Sequence, residues 1–107
     1  MTQFVNERDW DQFHSIKNLS MALNVEASEL AEIFQWKTEN ESNLVASDLT
    51  LKEKLSEEIA DVFLYLSRIA LKSEIDIEKA VFSKIAKNRV KYPVELARGN
   101  SKKYSEF

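Results

Sequence analysis

Cysteine is absent from the 107 residues, which excludes disulfides and thiolate metal sites. Glycine and proline occur once each. A chain so poor in turn-formers suits helices joined by few turns. No apolar run approaches the roughly 20 residues of a membrane span. The opening residues, MTQFVNERDW, hold no signal-peptide core. The expectation is a cytoplasmic protein with no membrane partner. There is no glycine-rich phosphate loop, so a P-loop or Rossmann reading fails. The net charge of -3 is mild and speaks against a nucleic-acid partner.

What is present is charge laid over helical periodicity, with 31% of residues charged. Four helical segments are predicted. The first covers Thr2 to Phe13, with Phe4, Trp10 and Phe13 apolar. The second runs from Asn18 to Trp36. After a polar link, Thr50 is the expected N-cap of the third, with Glu53 completing a capping box. That helix runs to Lys72. The fourth spans Asp76 to Tyr92 and stops because Pro93 disfavours helix at the residue before it. Residues 93–107 read as an irregular tail. The fold class expected is all-α: a four-helix bundle in a single domain, 1–107. The segment IADVFLYLSRIAL is apolar around much of its circumference, and such a helix is covered on more than one side. A homo-oligomer is therefore expected, because so small a domain buries limited surface alone.

At about 100° per residue, Leu19, Ala22, Leu23, Leu30, Ile33 and Phe34 share one stripe of the second helix. Glu26 projects into it, Glu29 flanks it, and Glu32 lies further round. On the third helix Leu55, Ile59, Val62, Leu66 and Ile69 form the stripe, with Glu58 on its edge and Asp61 beside it. Residues three apart on a helix are neighbours, so Glu26 repels Glu29 and Glu58 repels Asp61. Crowding and partial burial both cost free energy unless a cation compensates. All-oxygen anionic ligands suit the hard ions Mg²⁺, Mn²⁺ or Ca²⁺. The plainer alternative is a solvated acidic face, which accounts for any single Glu-x-x-Glu. A di-iron centre would need repeated Glu-x-x-His, and His14 is the only histidine. Held by Mg²⁺, the natural substrate is a polyphosphate.

Trp10 and Trp36 offer flat walls for a nucleobase, with core packing as the alternative. Tyr65 follows Asp61 by one turn. Lys84, Lys87, Asn88, Arg89 and Lys91 gather at the end of the fourth helix, where the helix dipole favours cations in any case. Lys84 and Asn88 share a face and could offer a phosphate contact and an amide to a base edge.

The blocks RDWDQFH, VEASELAEIFQWK, LSEEIADVFLYL and KNRVKYPVELARG with KKY resemble the MazG-like all-α nucleoside triphosphate pyrophosphohydrolases. Within that family the likeness is to the small single-domain branch that includes the dCTP pyrophosphatases of animals. The resemblance covers nearly the whole chain, with Val25 where many members carry a further acid. It implies Mg²⁺-dependent hydrolysis of NTPs or dNTPs between the α and β phosphates. It places metal ligands on Glu26, Glu29, Glu58 and Asp61. It implies base contacts from Trp10, His14, Trp36, Tyr65 and Asn88, with Lys84 and Arg89 near the phosphates or sugar. It also implies a tetramer built as a dimer of dimers. The proton acceptor expected at such a site is Glu29 or Glu32. Two other readings of the same residues are a nucleotide sensor without turnover and a non-catalytic helical interaction module.

Overall fold

The structure is a computed structural model that describes residues 2–99. Every regular element among the described residues is helical: α1 (Thr2–Glu7), α2 (Ile16–Glu32), α3 (Glu39–Ser42), α4 (Leu49–Lys72), α5 (Ile77–Lys91) and α6 (Val94–Ala97). Single 3-10 turns lie at Asp11–Phe13 and Val45–Ser47. Residues 100–107 of the expected irregular tail lie outside the described residues, whereas the preceding stretch forms the short α6. The chain divides into two compact units, residues 1–74 and 75–107.

The helix ends differ from expectation where local hydrogen bonds compete. The first helix stops at Glu7 and does not reach Phe13. Asp9 takes a left-handed φ of 54°, a conformation that breaks a helix and that Asp tolerates better than most residues. The Trp10 N–H then returns to the Val5 carbonyl at 3.0 Å. Asp48, rather than Thr50, caps α4, its carboxylate accepting the Leu51 N–H at 3.1 Å. An ionised cap also suits the positive end of a helix. The capping box occurs instead at Thr38 and Glu41, at the start of α3. Trp36 lies beyond α2. The N–H groups of Ile33, Phe34 and Gln35 turn to carbonyls three residues back, at 3.2, 3.1 and 3.4 Å. Such bonds tighten the last turn and end the helix before Thr38 starts the next. Ser15 begins α2, its hydroxyl accepting the Asn18 N–H at 3.0 Å.

In the first unit α2 lies against α4. Leu19 of α2 and Val5 of α1 are the most deeply buried side chains, and Ala70 of α4 is also buried. Along α4 the predicted stripe splits in two. Leu55, Val62 and Ile69 are half-buried, but Ile59 and Leu66 remain 53% and 41% exposed, as does Phe63, outside the predicted stripe, at 57%. Asp11 joins its 3-10 turn to α4 through an ion pair with the buried guanidinium of Arg68. Lys72 adds a contact to the same carboxylate at 3.4 Å. Burial pushes the Asp11 carboxyl up, but Lys72 and Arg68 outweigh it and hold it below its ordinary value.

In the second unit Asp76 caps α5 by accepting the Lys79 N–H at 3.0 Å. The helix ends at Lys91, before Pro93, as its sequence implies. Lys84 and Asn88 stand one turn apart on it.

Candidate metal centre

Glu26 lies midway along α2, and Glu58 and Asp61 lie one turn apart on α4. The contact between the two helices brings one carboxylate oxygen from each of the three residues within 4.8 Å of one another. The Oε2 atoms of Glu26 and Glu58 are buried and accept no hydrogen bond. Burial, then the neighbouring carboxyls of Glu29 and Glu58 and the charge of Asp61, push the Glu26 carboxyl up from 4.5 to about 7. Buried acceptors without donors are costly. Here they converge with like charge, and only protons or a cation relieve that. The donor set is all oxygen and anionic, the chemistry of a hard divalent ion. These residues fit a metal ion. Glu29 stands beside Glu26 but outside the converging trio.

A cavity opens on each side of the trio. The smaller, about 350 Å³, is lined by Phe4, Val5, Trp10, His14, Asp61, Leu64 and Tyr65. Trp10 meets Phe4 edge to face at 5.5 Å. His14 is half-buried, and its buried Nδ1 has no hydrogen-bond partner. The larger cavity, about 630 Å³, has Glu29, Glu32, Lys37, Lys54 and Glu58 in its wall. Glu58 therefore faces one cavity and Asp61 the other.

Four of these residues lie on one helix at spacings of four, three and four: Lys54, Glu58, Asp61 and Tyr65. At 3.6 residues per turn they share a single side of α4. The half-exposed flank of Ile59, Phe63 and Leu66 lies next to it.

The structure thus brings together Glu26, Glu58 and Asp61, with Glu29 adjoining, and it gathers Trp10, His14 and Tyr65. Glu32 joins Glu29 at the larger cavity. Trp36 lines neither cavity and is 90% exposed. Lys84, Asn88 and Arg89 lie on α5, in the second unit. Sequence reasoning missed Phe4 as a cavity wall, the Asp11–Arg68 pair, and Lys37 and Lys54. For Lys54 the signal was available: it continues the spacing of Glu58 and Asp61 by one turn. The Asp11–Arg68 pair spans 57 positions and leaves no local pattern.

An all-helical fold with carboxylates converging from two adjacent helices defines the class. The chain belongs to the MazG-like family, which its residues 21–107 match. It is 45% identical to dCTP pyrophosphatase 1 of Homo sapiens over 105 residues, covering 98% of this chain and 62% of that protein. The rat protein of the same name, from Rattus norvegicus, is 44% identical over the same extent. The chain spans 62% of the length of these curated relatives. Among solved structures, a pyrophosphatase from Archaeoglobus fulgidus is 37% identical, with a TM-score of 0.78. That likeness covers 86% of this chain and 84% of the other. No helix among the described residues is long and apolar enough to cross a membrane.

Proposed function

We propose that this chain hydrolyses nucleoside triphosphates, dCTP or a modified dCTP foremost, to the monophosphate and pyrophosphate with Mg²⁺. The observation that carries this reading is the position of the carboxylate trio, between an aromatic cavity and a polar one. The likeness to relatives named dCTP pyrophosphatase supports the choice of base.

Glu26, Glu58 and Asp61, with Glu29 beside them, would hold the ion; Mn²⁺ suits the same donors. When bound, it neutralises phosphate charge and makes a nearby water more acidic. The chain's own residues do the rest. Trp10 and Tyr65 give the base flat walls, and the unpartnered Nδ1 of His14 offers it one polar contact. Glu29 or Glu32 accepts the proton of the water that attacks the α-phosphorus. Lys84 and Arg89 contact the phosphates or sugar, and Asn88 the base edge. The working unit is a homotetramer, a dimer of dimers. The exposed flank of α4 and the 90% exposed Trp36 support burial against another copy. There Trp36 closes over the base. The cellular setting is the cytoplasm and the role is removal of unwanted dNTPs.

Chromatography of products from dCTP and Mg²⁺ tests the reaction. The expected products are dCMP and pyrophosphate. Formation of dCDP and orthophosphate would refute it.

A further inference from the structure

Arg68 is the one buried charged side chain among the described residues. Its partner, Asp11, opens the 3-10 turn Asp11–Phe13, and Lys72 reaches the same carboxylate oxygen at 3.4 Å. Stability alone does not account for this arrangement. A buried ion pair is often no more stable than apolar side chains of the same volume. This one also leaves the Arg68 Nε buried without an acceptor, which costs further. What the pair does fix is the place of the turn. No residue of the turn is buried, so packing does not hold it. The N–H groups of Phe13 and His14 bond within it, to the Trp10 and Asp11 carbonyls, both at 2.9 Å. Its ends are tied to α1 and α2, by the Trp10 N–H to the Val5 carbonyl at 3.0 Å and by the Asn18 amide to the Phe13 carbonyl at 3.1 Å. Among the described residues, the hydrogen bonds between the turn and α4 both end on Asp11.

That link joins two walls of the aromatic cavity. Trp10 and His14, on either side of Asp11 in sequence, belong to one wall, and Leu64 and Tyr65 of α4 to the other. Arg68 stands four and three residues beyond Leu64 and Tyr65, on the same side of the helix. Reading the cavity as the seat of the base rests on the proposed function. We infer that Asp11 and Arg68 are positioning residues: their pair, with Lys72 as a second cation, clasps the turn to α4 and sets the gap between Trp10 and Tyr65 that receives the base. Neither residue touches the base. They act through the turn, which carries Trp10 and His14 at its ends. Walls set in advance bind more tightly than walls that must be ordered when the ligand arrives.

The test compares the full chain with Asp11→Ala and with the double variant Asp11→Ala, Arg68→Met. Asp11→Ala should lower the Tm, because it leaves Arg68 buried and unpaired. The double variant removes that charge but keeps an apolar stem, so its Tm should return close to that of the unaltered chain. Affinity should not return with it. The probe is dCTP with NH in place of the α,β bridging oxygen, titrated with Mg²⁺ by calorimetry. Both variants should bind it about tenfold more weakly, the worth of one misplaced stacked base. In turnover the KM for dCTP should rise in step, while kcat at saturation and the rise in Tm on adding Mg²⁺ alone should not change. Unaltered affinity in both variants overturns the inference. So does affinity that recovers with Tm in the double variant, or a loss shared equally by kcat and the Mg²⁺ response. Should the double variant not fold, Asp11→Ala decides alone, its side chain being 51% exposed; an unchanged KM there overturns the inference. The proposed reaction is judged separately on the unaltered chain. If that chain makes dCMP and pyrophosphate while both variants bind the probe normally, only the clasp falls. If it makes dCDP and orthophosphate while both variants lose affinity, the clasp stands and the reaction falls.

Discussion

Replacing Glu26 by glutamine keeps the shape of the side chain and removes its charge. In the folded protein this carboxyl titrates near 7 against 4.5 for an ordinary glutamate, because of its burial and the adjoining Glu29, Glu58 and Asp61 carboxyls. A raised carboxyl pKa means the folded state holds the proton more tightly. The unoccupied protein therefore loses stability as pH rises from about 4.5 to about 7, and above that the loss is complete. A shift of this size carries about 1.4 kcal/mol per unit, which solvent at the half-buried cluster reduces to on the order of 1–2 kcal/mol in all. Glutamine escapes that penalty. At roughly 4–8 °C per kcal/mol for a domain of this size, Glu26→Gln should melt about 5–10 °C above the unaltered chain in EDTA near pH 8. Near pH 4.5 the two should converge. Excess Mg²⁺ should raise the Tm of the unaltered chain, since a ligand of the folded state stabilises it, and do much less for the variant. Scanning calorimetry at both pH values, with and without Mg²⁺, measures all four points. A variant that melts lower in EDTA at pH 8, or that gains as much from Mg²⁺, would refute the assignment of Glu26.

The same proton competes with metal. Below pH 7 the Mg²⁺ affinity of the unaltered chain should fall by up to tenfold per unit, because one bound proton must leave; calorimetry in buffers of different ionisation enthalpy reads the released proton. Trp10→Ala should raise the KM for dCTP by roughly tenfold or more, the worth of one stacked base, while leaving the Mg²⁺-induced Tm shift unchanged. Leu19→Ala, at a site only 1% exposed, should cost about 2–5 kcal/mol, read by urea denaturation. A loss below about 1 kcal/mol would place the core elsewhere.

The acids were legible because helical period is rigid. Glu26 projects into one apolar stripe and Glu58 and Asp61 border the other, and packing the two stripes together leaves these acids little freedom to diverge. Helix ends were less legible, since they are settled by competition between caps of similar strength. Asp48 won over Thr50, and the bonds from Ile33 to Gln35 ended α2 before Trp36. A second helix drawn from Asn18 to Trp36 extends the period beyond the observed end at Glu32. The apolar stripe on α4 was legible as apolar but not as two surfaces, because burial depends on which neighbour arrives. The Asp11–Arg68 pair was invisible for another reason: its members are brought together only by the folded chain.

The row of Lys54, Glu58, Asp61 and Tyr65 makes α4 a ruler for its substrate. Backbone rise is 1.5 Å per residue, so the row is about 16 Å long and stiff. If Tyr65 walls the base as proposed, a substitution there changes the fit of the base and leaves the spacing of Glu58 and Asp61 intact. An inserted or deleted residue between Glu58 and Tyr65 has no such independence. It turns everything beyond it by about 100° and sends the base wall to another side of the helix. Divergence along this rod is therefore free to change letters but not to change length.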